Sequence, residues 1–303
     1  MFSPHTVIIF LLSLLGLTIA LAGLQPTPPE LTFSNASEIF SPLPQGKPPY
    51  HPRQHKRGLP FNNPTQWIQS YSGPGSEVNW AYNWDSAVPD NMPRNLQFVP
   101  MLWGGQPGHT INWARNAQNA INRGASHLLA FNEPDQCGPG QSCIGPVQAA
   151  ALWKRYMEPF TNQAWLGAPA TTNADPDHKW LKQFLAACTG CHVDFVPIHW
   201  YNSYADANTF QYLVNWIQGV KRDIGPRNIW VTEFNAGGIP EIHASEDQQI
   251  SFLRKALPWM DNTDYIERYA WFWTDPSFRG GSITAGNRQP TKLGYQYAYG
   301  IHR

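Results

Sequence analysis

The sequence predicts a (β/α)8 TIM barrel forming a single domain, on two observations. From Lys56 onward, short apolar runs alternate with helical patterns, the order that builds a parallel sheet. Eight such runs occur: Gly58–Phe61, Val78–Trp84, Gln97–Trp103, His127–Asn132, Ala164–Ala170, Val193–Tyr201, Ile229–Phe234 and Arg268–Thr274. The second observation is that the fourth and seventh runs lead into glutamates. Leu128–Phe131 is apolar throughout, as in a strand buried on both faces, and is followed by Asn132-Glu133-Pro134. Pro134 cannot donate to a ladder, so the strand ends there. Ile229–Val231 is a second buried run, with Glu233 at its end. In a parallel barrel the carboxyl ends of the strands face one mouth, which puts Glu133 and Glu233 at the same opening.

The intervening segments support the barrel. Ile111, Ala114, Ala117 and Ile121 recur at helical spacing after the third run. Pro146 opens a helix after the fourth, where its missing N–H costs nothing. Asp177 is placed to cap a helix carrying Trp180, Leu181, Phe184 and Leu185. Phe210, Leu213, Val214 and Ile217 mark the next apolar face. Ser245-x-x-Gln248 is a capping box before Ile250, Leu253 and Leu257. Pro290–Ile301 supplies the last helix, while no long helix follows the second run.

The chain has 303 residues, and a barrel of roughly 250 residues occupies it from Lys56 to the end. Charged residues make up 14% and the net charge is zero, with no basic stripe, which argues against a nucleic-acid partner. Fourteen Trp and twelve Tyr fit a core-heavy protein or a groove that stacks sugars. Nothing in the sequence demands a partner subunit, so a monomer is expected.

The amino terminus is organised differently. Val7–Ala22 is continuously apolar but shorter than the ~20 residues of a membrane span, and it ends on the small-x-small triplet Ala20-Leu21-Ala22. This predicts a signal peptide over 1–22 and a secreted protein. The region before the run holds His5 but no Lys or Arg, and a retained anchor is the alternative. Residues 23–55, rich in Pro, Ser and Gln, read as a linker or propeptide, with the sequon Asn35-Ala36-Ser37 inside it. Lys56-Arg57 is either a dibasic processing site or the start of the first strand. Four cysteines allow three pairings; the local disulfides Cys137–Cys143 and Cys188–Cys191 are expected. Zinc held through Cys188-x-x-Cys191 is the alternative, disfavoured in a secreted compartment.

Two carboxyls at one mouth are the minimum equipment of a glycosidase, and a retaining enzyme needs them ~5–5.5 Å apart. Glu133 is assigned as acid/base and Glu233 as nucleophile. Asn132 is placed to bond a sugar 2-hydroxyl. Trp84, Trp103, Tyr201 and Trp273 end other strands, and His199, two residues before Tyr201, points the same way. These are substrate-binding candidates; the plainer alternatives are barrel-top packing for the tryptophans and a backbone-paired buried imidazole for His199. Trp80 and Trp271 read as core, His178 and His192 as solvated. No metal constellation or cofactor motif emerges.

An ordered set of motifs resembles a known family. Lys56-Arg57-Gly58-Leu59, Trp80-Ala-Tyr-Asn-Trp84, Phe131-Asn-Glu-Pro-Asp135, His199-Trp-Tyr201, Val231-Thr-Glu-Phe234 and Trp271-Phe-Trp273 resemble glycoside hydrolase family 128, in clan A. That family includes the fungal cell-wall proteins called alkali-sensitive-linkage proteins. The resemblance runs from about Lys56 to the C-terminus and gives no guidance over Gly23–His55. It implies a (β/α)8 barrel, retention of configuration, and action on β-1,3-glucan, with the acid/base carried onto Glu133 and the nucleophile onto Glu233. Trp273 resembles the tryptophan that floors the cleavage subsite in the clan. A transglycosylase using the same glutamates, or a wall protein that binds glucan without cutting it, remains a competing expectation.

Overall fold

The computed structural model describes residues 46–49, 56–204, 206–239 and 242–300. The apolar run Val7–Ala22, the sequon and most of the Pro-rich segment lie outside the described residues. Among the described residues, no helix is long and apolar enough to cross a membrane.

Eight parallel strands follow the chain as the sequence predicts: Arg57–Pro60, Val78–Tyr82, Gln97–Phe98, His127–Leu128, Trp165–Leu166, Phe195–Tyr201, Asn228–Asn235 and Ile266–Trp271. Strands three, two, one, eight, seven and six form one sheet in that order, and four pairs with five. Parallel bridges complete the ring: Met101 with Leu129 joins strands three and four, and Gly167 with Phe195 and Thr171 with Ile198 join five and six. Gly238–Ile239 and Ile242–His243 form a small antiparallel pair after strand seven.

Two apolar layers hold this ring together. Trp80, Tyr82, Val99, Met101, Leu129, Phe195, Trp230 and Ala270 fill the barrel interior, and a larger cluster lies between strands and helices. The interior rings require small neighbours. A Cβ on Gly58 would lie 2.1 Å from the Trp80 ring, and one on Gly167 would lie 2.6 Å from Phe195. Trp80 and Trp271 are fully buried, as expected of core residues.

Arg57 begins the first strand, Lys56 immediately precedes it, and both are almost completely buried. Lys56 Nζ donates to Met260 O and Thr263 O at 2.9 and 3.0 Å. The Arg57 guanidinium donates to Tyr269 Oη, Tyr297 O and Asp261 Oδ2 at 2.9, 2.8 and 2.8 Å. A dibasic protease needs an exposed, extended segment, so the processing alternative is excluded for the folded domain. Just before the barrel, Lys47 Nζ grips the Asp194 carboxylate at 2.6 and 2.7 Å and lies over the Trp165 ring.

The helices follow the expected order, with three local corrections. Trp113–Asn122 buries Trp113, Ala117, Ala120 and Ile121, whereas Ile111 is 78% exposed and Ala114 is also exposed. The helix starts at Trp113, whose indole donates to Tyr156 O, and this anchor sets a different phase. Asp177 does not cap Lys179–Ala187; Asp175 Oδ2 accepts from Trp180 N instead, after His178 in left-handed backbone. His178 is not solvated. It is buried against Trp216 and pairs with Asp223 at 2.8 Å. His192 is exposed beside Glu158. Pro146 does open Pro146–Tyr156, and Ser245 and Gln248 form the capping box of Glu246–Asn262. Leu213, Val214 and Ile217 line the buried face of Thr209–Ile224, and Lys292–Tyr299 is the last helix. Both local disulfides, Cys137–Cys143 and Cys188–Cys191, are present, which consumes the thiols a zinc site would need.

Candidate active site

Glu133 leaves strand four in left-handed backbone, φ 42°, and its N–H donates to Ala170 O on the neighbouring segment at 2.8 Å. Asn132, beside it, is buried; its N–H donates to Trp103 O at 2.9 Å. Glu233 lies within strand seven and is 4% exposed. Between them stands His199, fully buried on strand six. Its Nδ1 is 2.7 Å from Glu133 Oε1 and its Nε2 is 3.4 Å from Glu233 Oε1. The plainer expectation for His199, pairing with a backbone group, is therefore corrected: its ring faces both carboxyls.

Glu233 is held by donors. Tyr201 Oη donates to Oε2, and Trp84 Nε1 donates to Oε1 at 2.8 Å. Tyr82 Oη donates to Thr232 O at 3.0 Å and lies 3.4 Å from Glu233 Oε1. Trp84 is thus more than barrel-top packing; its indole N–H holds the carboxylate. Burial, and then the charge of Glu233, hold the Tyr201 and Tyr82 phenols well above their usual range, so both remain O–H donors. Burial pushes the Glu233 carboxyl above its usual range; His199 opposes this, Glu133 reinforces it, and the Tyr201 and Trp84 donors oppose it. Burial alone would depress His199, but Glu233 and Glu133 outweigh it and raise the imidazole above its ordinary value.

One atom each of Glu133, His199 and Glu233 lie within 4.8 Å of one another, a convergence that metal-ligand spacing in the sequence did not reveal. The 2.7 Å contact between His199 and Glu133 is a hydrogen-bond length, and the donor set fits a proton-sharing cluster.

The aromatic rim surrounds this cluster. Trp103 is partly open and lies tilted against His109, with ring centroids 4.8 Å apart. Trp273 is only 6% exposed, packed edge-on against Trp84, which leaves little ring face to floor a subsite. Phe272, before it, is more open and contacts Trp84 and Tyr201, the two residues that hold Glu233. Phe272 and Tyr82 escaped the sequence candidates. The period-two alternation of Trp80, Tyr82 and Trp84 was the available signal for Tyr82.

A parallel barrel that brings two carboxyls onto one buried imidazole has the groups that cleavage of a glycosidic bond requires. Residues 58–297 match the model of the glycosyl hydrolase catalytic core. A family 128 (subgroup III) curdlan-specific exo-β-1,3-glucanase from Blastomyces gilchristii, solved with glucose, is 33% identical with a TM-score of 0.68, covering 82% of this chain and 99% of that one. A family 128 (subgroup I) endo-β-1,3-glucanase variant from Amycolatopsis mediterranei, solved with laminarihexaose, is 28% identical with a TM-score of 0.67, covering 80% and 98%. Alkali-sensitive linkage protein 1 of Schizosaccharomyces pombe is 29% identical over 221 residues, 72% of this chain and 38% of that protein. The chain thus spans well under half the length of that relative. The chain belongs to the glycosyl hydrolase catalytic-core family, among the family 128 glycoside hydrolases.

Proposed function

We propose that this protein is a secreted, retaining β-1,3-glucanase with Glu133 as acid/base and Glu233 as nucleophile, cutting within wall glucan chains. The observation that carries this is the convergence of Glu133, His199 and Glu233 within 4.8 Å, compatible with the ~5–5.5 Å carboxyl separation of a double displacement. The donors of Tyr201 and Trp84 favour an anionic Glu233, as a nucleophile needs. Glu133, with 15% of its side chain exposed, is the carboxyl open to a leaving oxygen.

In the first step, a Glu233 oxygen bonds to the anomeric carbon as the glycosidic bond breaks, and protonated Glu133 gives its proton to the departing oxygen. In the second, ionised Glu133 takes a proton from water, whose oxygen displaces Glu233 and restores the β configuration. A sugar hydroxyl in place of that water would give transglycosylation.

The relatives support β-1,3-glucan as substrate, and they include both endo and exo enzymes. Two disulfides and the apolar leader Val7–Ala22 support an extracellular or cell-wall location. The test is product analysis on linear β-1,3-glucan with Glu233→Gln alongside. Short oligosaccharides appearing first as β anomers, absent with the variant, are expected. Glucose alone would mean exo attack, products longer than the donor would mean transglycosylation, and binding without turnover would refute the catalytic assignment.

A further inference from the structure

The loop that carries Glu133 is tied down on two sides. Its backbone, at φ 42°, is one that a glutamate rarely adopts, and such a conformation persists only where its surroundings over-determine it. On the strand-four side, Ser142 Oγ donates to Asn132 O at 2.6 Å and Ile144 N donates to Pro134 O at 3.1 Å. The Cys137–Cys143 disulfide closes the loop between these ties. On the strand-five side, Glu133 N donates to Ala170 O, and two residues further along each segment Asp135 meets Thr172.

That second contact is built from several bonds. Thr172 Oγ1 donates to Asp135 Oδ2 at 2.6 Å, and Thr172 N lies 3.1 Å from Oδ2 and 3.3 Å from Oδ1. Gln136 Nε2 donates to Thr172 Oγ1 at 2.9 Å, and Ala174 N donates to the same hydroxyl at 3.2 Å. Thr172 is 5% exposed, so its hydroxyl depends on these partners. An amide at position 135 would put an NH2 group, which only donates, in place of one carboxylate oxygen, which only accepts.

We propose that Asp135 is a positioning residue for the general acid: by gripping Thr172 it fixes the Glu133 backbone on the end of strand five and so aims the Glu133 carboxyl at the leaving oxygen. This rests on the assignment of Glu133 as acid. Asp135 acts through Glu133, so its loss should impair proton donation more than anything else.

The experiment compares kcat/KM, which reports the first bond-breaking step, on two substrates. One is a β-1,3-gluco-oligosaccharide, whose leaving oxygen needs a proton. The other is the dinitrophenyl β-glycoside of the corresponding disaccharide, whose leaving group does not. Asp135→Asn should lose about 10- to 100-fold on the first and no more than about threefold on the second. Thr172→Val should repeat this pattern, and Thr172→Ser, which keeps the hydroxyl, should stay near wild type. Equal losses on both substrates, or none, would overturn the positioning role. Glu133→Gln is the reference. If it shows no leaving-group dependence, the acid assignment itself fails; if it shows the dependence and Asp135→Asn does not, only the positioning role fails.

Discussion

Tyr201→Phe isolates the hydrogen bond that most directly holds the Glu233 carboxylate. Tyr201 Oη is the donor on Oε2, while Trp84 Nε1 serves Oε1 at 2.8 Å. Removing the hydroxyl leaves Oε2 without that donor in a site only 4% exposed, where water is poorly placed to substitute. A hydrogen bond to a charged group contributes about 1.5–3 kcal/mol, so kcat/KM should fall roughly 10- to 150-fold. The pH profile should move as well. Burial already holds Glu233 above its usual range, and Tyr201 opposes that rise. Without Tyr201 the carboxyl titrates higher still. On the proposed assignment the ionised form is the nucleophile, so the acidic limb of kcat/KM should shift toward higher pH. The assay is kcat/KM on a β-1,3-gluco-oligosaccharide across the acidic range, with near-ultraviolet circular dichroism to verify folding. A folded variant with an unmoved acidic limb and a loss below about threefold would refute the view that this phenol stabilises the nucleophile.

Other consequences concern the scaffold. His127 is buried beside Glu267 at 3.2 Å, and burial lowers its pKa from 6.5 to about 4. The folded state therefore resists a proton that the unfolded chain accepts, and stability should fall by about 3 kcal/mol as pH drops from 6.5 to 4; denaturant melts of wild type and His127→Gln should show a flatter dependence in the variant. Gly58→Ala places a Cβ 2.1 Å from the Trp80 ring and should cost about 1–3 kcal/mol in chemical denaturation, whereas Gly145→Ala, with open space around it, should cost far less. A dibasic-specific protease should leave the folded domain uncut after Arg57 and cleave there once it is denatured, as mass spectrometry of the products can establish.

Local patterns in the sequence determined the barrel, its eight strands, both disulfides and the two strand-end glutamates. Each is a property of neighbouring residues: apolar runs, a proline that ends a strand, cysteines a few positions apart. Helix phase was less legible, because Trp113 rather than the Ile111 periodicity sets the buried face after strand three. Contacts across the barrel were decided by tertiary structure alone. Tyr82 and Trp84 reach Glu233 from strand two, and His199 reaches both glutamates from strand six. Lys56 and Arg57 look like a cleavage signal until Met260, Asp261, Thr263 and Tyr269 close around them. A side chain's ordinary propensity says whether it favours a strand or a turn, but its partner depends on where ring closure brings segments far apart in the chain.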